Sequence, residues 1–333
     1  MFAGDGSAPE ATAYTVSDLL VPSAGAWYGG VFATIGTTSS TTTSGLASWV
    51  AATGRRPHII GTYETGAWDG IFSATELGWF DPSSGDTTHA IPHVRWKPNS
   101  GGATWQDVAG GARDSDIDTL FGNLKDYPRK LFFTVHHEPE DDVSGATFSK
   151  ANYVAMWQRI HTRAAAAGAT NIVWVINYMG FANWAVDADG VGFEDLYPGD
   201  DYVDWIAWDP YVLSNTTLTD TFAEFVNRSD GGPSGYTGFY NWATTNHPTK
   251  PLMLAEFGYG IDIGAGGLTE AEQATWISNF FPDKEDFPAI RAYEQWHSVG
   301  TRDYQQTPYT ASVTALNAGL ALPWFDQDPD LAP

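Results

Sequence analysis

The 333-residue chain contains no cysteine. A disulfide framework and a thiolate-bound metal are both excluded, so stability has to come from a packed core. Cations are scarce as well: 16 Lys and Arg stand against 40 Asp and Glu, a formal net charge of −24 at pH 7. A surface that negative repels nucleic acid and anionic membranes and leaves a neutral partner as the expectation. No apolar run approaches the ~20 residues that a membrane-spanning helix needs. The first residues, Met1-Phe2-Ala3-Gly4-Asp5-Gly6, show neither the basic nor the apolar region of a signal peptide. The glycine-rich piece from 258 to 267 has neither the spacing nor the lysine of a phosphate loop, and reads as a loop over a cleft.

Apolar and aromatic residues are plentiful. A hydrophobic share of 43% is ample for one large core. Many of the 15 Trp and 15 Tyr fall near the ends of apolar runs, where a purely core role explains them least.

The chain is organised around Leu131-Phe132-Phe133-Thr134-Val135-His136-His137-Glu138-Pro139-Glu140, an apolar β-forming run that ends abruptly in histidines and acids. It reads as a buried strand reaching the rim of a sheet. Pro139 would stop the ladder and bias Glu138 towards extended backbone. Lys250-Pro251-Leu252-Met253-Leu254-Ala255-Glu256-Phe257-Gly258 ends the same way. Further strands are expected at residues 26–32, 58–64, 91–96, 171–178, 202–211 and 290–297, with helices at 46–52, 114–126, 150–167 and 270–281. Gly168 sits where a helix C-cap needs it, Thr269 and Glu272 form a capping box, and the Ser/Thr run from Thr37 to Ser44 reads as a loop. Eight strands alternating with helix-length segments imply a single-domain (β/α)₈ TIM barrel over residues 21–325. Residues 1–20 then form a linker or disordered arm, and 326–333 a tail.

In such a barrel the strands' C-terminal ends carry the chemistry. Glu138 and Glu256, closing strands four and seven, face each other across the mouth, the minimal equipment for hydrolysing a glycosidic bond. The acid of such a pair needs a raised pKa. With so few cations available, two rim glutamates in unrelated ion pairs are the weaker explanation. Trp68, Trp96, Trp208, Trp296, Tyr178 and Tyr211 form the aromatic set on which the apolar faces of sugar rings could stack. Asp209 either orients Tyr211, contacts substrate or caps the turn through Pro210. His136 is read as packed between strand and helix, and His137 as facing the site. Glu140, Asp141 and Asp142 with the histidines could instead bind a divalent ion, but consecutive acids on a loop read first as solvated surface. No cofactor and no metal are expected.

His137-Glu138, Val203-Asp204-Trp205-Ile206-Ala207-Trp208-Asp209-Pro210-Tyr211 and Ala255-Glu256-Phe257-Gly258 together resemble glycoside hydrolase family 26, the β-mannanase family, over about residues 21–325. The resemblance implies a retaining endo-glycosidase with Glu138 as acid/base and Glu256 as nucleophile. It also implies His137 beside the acid/base, Tyr211 hydrogen-bonded to the nucleophile and Trp296 flooring the −1 sugar. The implied substrate is β-1,4-mannan or a related neutral polysaccharide such as β-1,3-xylan, mixed-linkage β-glucan or a cell-envelope glycan. The expectation is thus an extracellular, secreted or phage-associated monomer. The rival is a non-catalytic carbohydrate-binding barrel of adhesion type, which would not need both glutamates.

Overall fold

The computed structural model describes residues 18–32, 39–65, 80, 90–98, 102–186, 191–212, 221–262, 268–282, 284–300 and 302–325. Eight parallel strands close on themselves: β1 (Trp27–Val31), β2 (Ile59–Thr65), β3 (Ile91–Lys97), β4 (Leu131–Val135), β5 (Ile172–Tyr178), β6 (Trp205–Trp208), β7 (Leu252–Tyr259) and β8 (Ile290–Trp296). Each pairs with the next, and β8 pairs with both β7 and β1, so no edge is left open. Around them lie α1 (Ser39–Thr53), α2 (Trp105–Ala109), α3 (Asp114–Leu124), α4 (Lys150–Ala167), α5 (Phe222–Val226), α6 (Phe239–Asn246), α7 (Glu270–Phe280) and α8 (Thr310–Leu320). This is the (β/α)₈ barrel in one domain.

Local chemistry explains the element ends. Gly168 terminates α4 in the left-handed region at φ 82°, which a glycine adopts without steric cost. The Thr269–Glu272 capping box satisfies the first turn of α7 in both directions. The Ser/Thr run read as a loop is, from Ser39 onward, the start of α1. Hydroxyl residues disfavour helix only weakly, and so small a preference yields to tertiary context. The sixth strand is shorter than its sequence pattern, because Asp200–Tyr202 forms a 3₁₀ turn ahead of it.

Strand alternation sorts the core into two compartments. Inside the barrel, Trp27, Phe132 and Trp205 interlock with small partners such as Ala207, Ala255 and Ala292. The rings of Phe132 and Trp205 meet edge-on at 5.2 Å. The alternate residues face the helices and form the larger aromatic layer. The barrel's lower end is stopped by the chain itself. Leu20 is buried among the interior side chains, its carbonyl accepts from Trp27 Nε1 at 2.7 Å, and the Leu19 carbonyl accepts from Trp205 Nε1 at 2.7 Å. Residues 18–20, expected in a linker or disordered arm, pack against the barrel through these contacts. Residues 1–17 and the 326–333 tail lie outside the described residues.

Phe132 is fully buried in the barrel interior. Phe132→Ala should lower stability by about 3–5 kcal/mol, read from urea unfolding midpoints at unchanged slope.

Candidate active site

Period-two alternation cannot by itself place the two glutamates in the mouth. On β4, residues 132 and 134 face inward, and a regular continuation would turn His136 inward and His137 outward. The strand instead stops at Val135, and both His136 (φ 54°) and Glu138 (φ 51°) adopt left-handed backbone. Glu138 is thus not in the extended geometry expected from the following proline. Such backbone persists only where its surroundings over-determine it. Here the Glu138 amide donates to the Asn177 carbonyl at 2.8 Å, and the His136 amide to the Trp96 carbonyl at 2.8 Å. Beyond Pro139, the Glu140 carboxylate accepts from the amides of Met179 (3.0 Å) and Gly180 (3.1 Å). Glu140 is therefore buried structure and not solvated surface, its two backbone donors partly offsetting a burial that still raises its carboxyl to about 8.

The first left-handed residue swings His136 out towards the helices. There Trp105 Nε1 donates to its Nδ1 (3.1 Å), so the ring proton sits on Nε2 and is donated to Asp142 (2.6 Å). Asp142 also accepts from Lys97 Nζ at 3.0 Å. The hydrogen bond from His136 is the main reason the Asp142 carboxyl lies well below its ordinary range. No cluster of three or more His, Cys, Asp or Glu side chains that could hold a metal occurs among the described residues. His137 turns the other way, its ring edge-on to Tyr63 at 4.9 Å. Burial, then the charges of Lys97 and Arg95, keep it neutral.

On β7 the re-aiming device is a bulge. Tyr293 and Gln295 of β8 pair with Leu254 and Phe257, so three steps on β7 oppose two on β8. The extra residue lets Ala255 belong to the interior and Phe257 to the helix layer, with Glu256 between them. Glu256 receives a 2.5 Å hydrogen bond from the Tyr211 hydroxyl. Burial first, then the charge of Glu294, raise its carboxyl to about 8, while the phenol donor works in the opposite direction by favouring the anion. Burial, then the charge of Asp141, raise Glu138 to about 7. The Glu138 charge in turn helps raise both Tyr211 and Asp209, after burial in each case and, for Tyr211, after Asp209. The two strand-end glutamates, Tyr211 and Asp209 are one electrostatic group.

Trp296, at the end of β8, stands edge-on to Tyr63 at 5.8 Å and joins the mouth. Asp209 is buried beneath it all and accepts from Asn177 Nδ2 at 2.8 Å. Three aromatic candidates are elsewhere. Trp96, Tyr178 and Trp208 are buried in the helix-facing layer, Trp96 against Phe133, Tyr178 donating to the Phe193 carbonyl, and Trp208 stacked on Phe239. Each is one position out of phase with the inward-facing Arg95, Asn177 and Asp209. Trp68 lies outside the described residues. Trp174 and Trp205 are buried core residues. Sequence reasoning missed Tyr63, Arg95, Asn177 and Glu294. The alternation of His93 and Arg95 within an otherwise apolar strand was the available signal.

Tyr63 Oη, Arg95 Nη1, His137 Nδ1 and Asp209 Oδ1 are buried and have no hydrogen-bond partner among the described residues. Each such atom costs about 1–3 kcal/mol until something pairs with it. They come from β2, β3 and the turns after β4 and β6, all towards the carboxyl end of the barrel.

Known proteins place this architecture. The barrel superposes on a family 26 β-mannanase from Bacteroides ovatus with a TM-score of 0.63, at 15% identity over 93% of each chain. It superposes on the family 26 domain of an endo-β-mannanase/endo-β-glucanase from Prevotella bryantii with a TM-score of 0.56, again at 15% identity over 93% of each. The chain shares its fold with these family 26 structures. In sequence, the chain is 23% identical over 287 residues to Endoglucanase H of Acetivibrio thermocellus, covering 78% of this chain and spanning only 29% of that protein. No protein-family profile matches the sequence.

Removing the phenol donor destabilises the Glu256 anion, so Tyr211→Phe should raise the Glu256 carboxyl above about 8. Asp141→Asn removes a repelling charge and should lower Glu138 below about 7. Titration of ¹³C-labelled glutamate carboxyls, assigned with Glu138→Gln and Glu256→Gln, reads both directions. Unmoved resonances would show that neither neighbour acts.

Proposed function

We propose that the protein is a family 26 retaining glycoside hydrolase that cuts within a neutral β-linked polysaccharide, β-mannan first and β-glucan second. The observation that supports this most is a buried glutamate at the end of β7 held by a tyrosine hydroxyl, together with a second buried glutamate just past β4 whose carboxyl is raised to about 7. Glu256, its anion favoured by Tyr211, attacks the anomeric carbon while Glu138 gives its proton to the leaving oxygen. A covalent glycosyl-enzyme results. Glu138, now ionised, takes a proton from water, which attacks the same carbon and releases Glu256. A retaining pair of this kind works at a carboxyl separation of about 5–5.5 Å.

Of the unpaired polar atoms, Tyr63 Oη, His137 Nδ1 and Asp209 Oδ1 suit a sugar, whose hydroxyls both donate and accept. Trp296 offers a ring face to the sugar's C–H surface. The net charge of −24 fits a neutral polymer. The names of the similar proteins point to mannan and glucan. Secretion or display on a cell or phage surface fits a polymeric substrate that cannot enter a cell.

Reducing-sugar release should be followed on glucomannan, galactomannan, mixed-linkage β-glucan and β-1,3-xylan. Glu256→Ala and Glu138→Ala should each lower kcat by at least about 10³-fold, in keeping with loss of a nucleophile or of general acid catalysis. The parent's rate should trace a bell with its top between about pH 7 and about pH 8, falling on the alkaline side as Glu138 loses its proton and on the acid side as Glu256 gains one. Binding without hydrolysis of any polymer would replace this reading with the adhesion barrel, and activity surviving Glu256→Ala would remove Glu256 as nucleophile.

A further inference from the structure

Arg95 is fully buried inside the barrel. Its Nη2 donates to Glu294 Oε2 at 3.1 Å and to the carbonyl of Ala255. Ala255 is the residue before Glu256, inside the bulge that re-aims it. On its other side, Arg95 Nε reaches Asn177 Oδ1 at 3.4 Å. The same Asn177 accepts the Glu138 amide through its carbonyl and donates to Asp209 through its side chain. One guanidinium therefore touches the backbone next to Glu256 and, through a single intermediary, the backbone of Glu138. Glu294 is itself held by His93 Nδ1 at 2.5 Å, and His93 Nε2 by Thr134 Oγ1 at 2.9 Å. The face of Tyr63 covers the guanidinium at 5.1 Å.

Stability does not explain this arrangement. A buried ion pair is often no better than apolar packing of the same volume, and Nη1 is left without a partner among the described residues. Geometry does. Only a planar fork can reach Ala255, Glu294 and Asn177 at once, a task beyond the point charge of a lysine. The sequence also makes room for it: a Cβ on Gly61 would run into Arg95 Nη1 and stand 2.7 Å from Glu294 Oε2.

We propose that Arg95, neutralised by Glu294, is the positioning residue that fixes Glu138 and Glu256 relative to each other. The proposal rests on the hydrolase reading. Arg95 does not touch substrate in the reaction; it acts through Ala255 and Asn177. Its loss changes the spacing of the carboxyls while leaving both present.

The test uses Arg95→Lys, which keeps the charge and loses the fork, and Gly61→Ala, which keeps the arginine and displaces it. The parent and both variants are assayed on glucomannan and mixed-linkage β-glucan, with kcat corrected for the folded fraction from thermal unfolding. Misplacement of reacting groups by about 1 Å can cost about 10²-fold, so kcat should fall about 10²-fold with KM within about threefold in at least the variant that folds. Loss of stability with kcat per folded molecule unchanged, or recovery of kcat in Arg95→Lys, would make Arg95 merely structural and overturn the proposal. A folded parent inactive on every polymer would instead overturn the hydrolase reading on which it rests, a result separate from any behaviour of the variants.

Discussion

A β-strand shows its side chains to alternate faces, and that constraint governs everything at this barrel's mouth. Uninterrupted, it would hide one member of any adjacent pair and leave the acidic ends of β4 and β7 aimed by accident. The chain breaks the alternation twice. Left-handed backbone at His136 and Glu138 separates a structural histidine from one that faces the site. An extra residue in β7 leaves Ala255 and Phe257 in different compartments with Glu256 between them. The left-handed turn is tied down by backbone hydrogen bonds to Trp96 and Asn177, and the bulge by the Arg95 side chain on the Ala255 carbonyl, which is what allows such geometry to persist.

The second governing fact is the shortage of positive charge. With 16 Lys and Arg in the whole chain, a cation buried at the barrel's centre is a large commitment. Arg95 is surrounded by carboxylates of three kinds: one ion-paired (Glu294), one hydrogen-bonded to an amide (Asp209), and two raised towards neutrality by burial (Glu138 and Glu256). Glu294 shows the contrast well. Burial works to raise it, but Arg95 and then His93 outweigh that and hold it below the ordinary range. Similar burial with different partners yields acids of opposite character, which is the physical basis for dividing labour between carboxylates.

Much of this was legible in the sequence. Buried parallel strands have distinctive apolar runs, and the eight of them, the caps at Gly168 and Thr269, and the two strand-end glutamates all emerge from local pattern. Phase was harder. Trp96, Tyr178 and Trp208 sit at the right height and on the wrong face, since proximity to a strand end says nothing about which way a side chain points. Glu140 looked like one of three surface acids because its donors, the amides of Met179 and Gly180, lie about 40 residues away. Arg95 and Glu294 come from strands that are distant in the chain and meet only across the closed barrel. Their partnership is a property of closure, although polar residues at alternate positions in a fully covered strand do announce that an interior network exists.

The stopper formed by Leu19 and Leu20 has a further bearing on how turnover would be ordered in time. A barrel packed with side chains and closed beneath by its own backbone is a blind well, with traffic at one rim only. The water that frees a covalently held sugar would have no back door. It must come down the path that the departing half of the polymer has just vacated, so hydrolysis would wait on departure, and a lingering product would be offered the bond again.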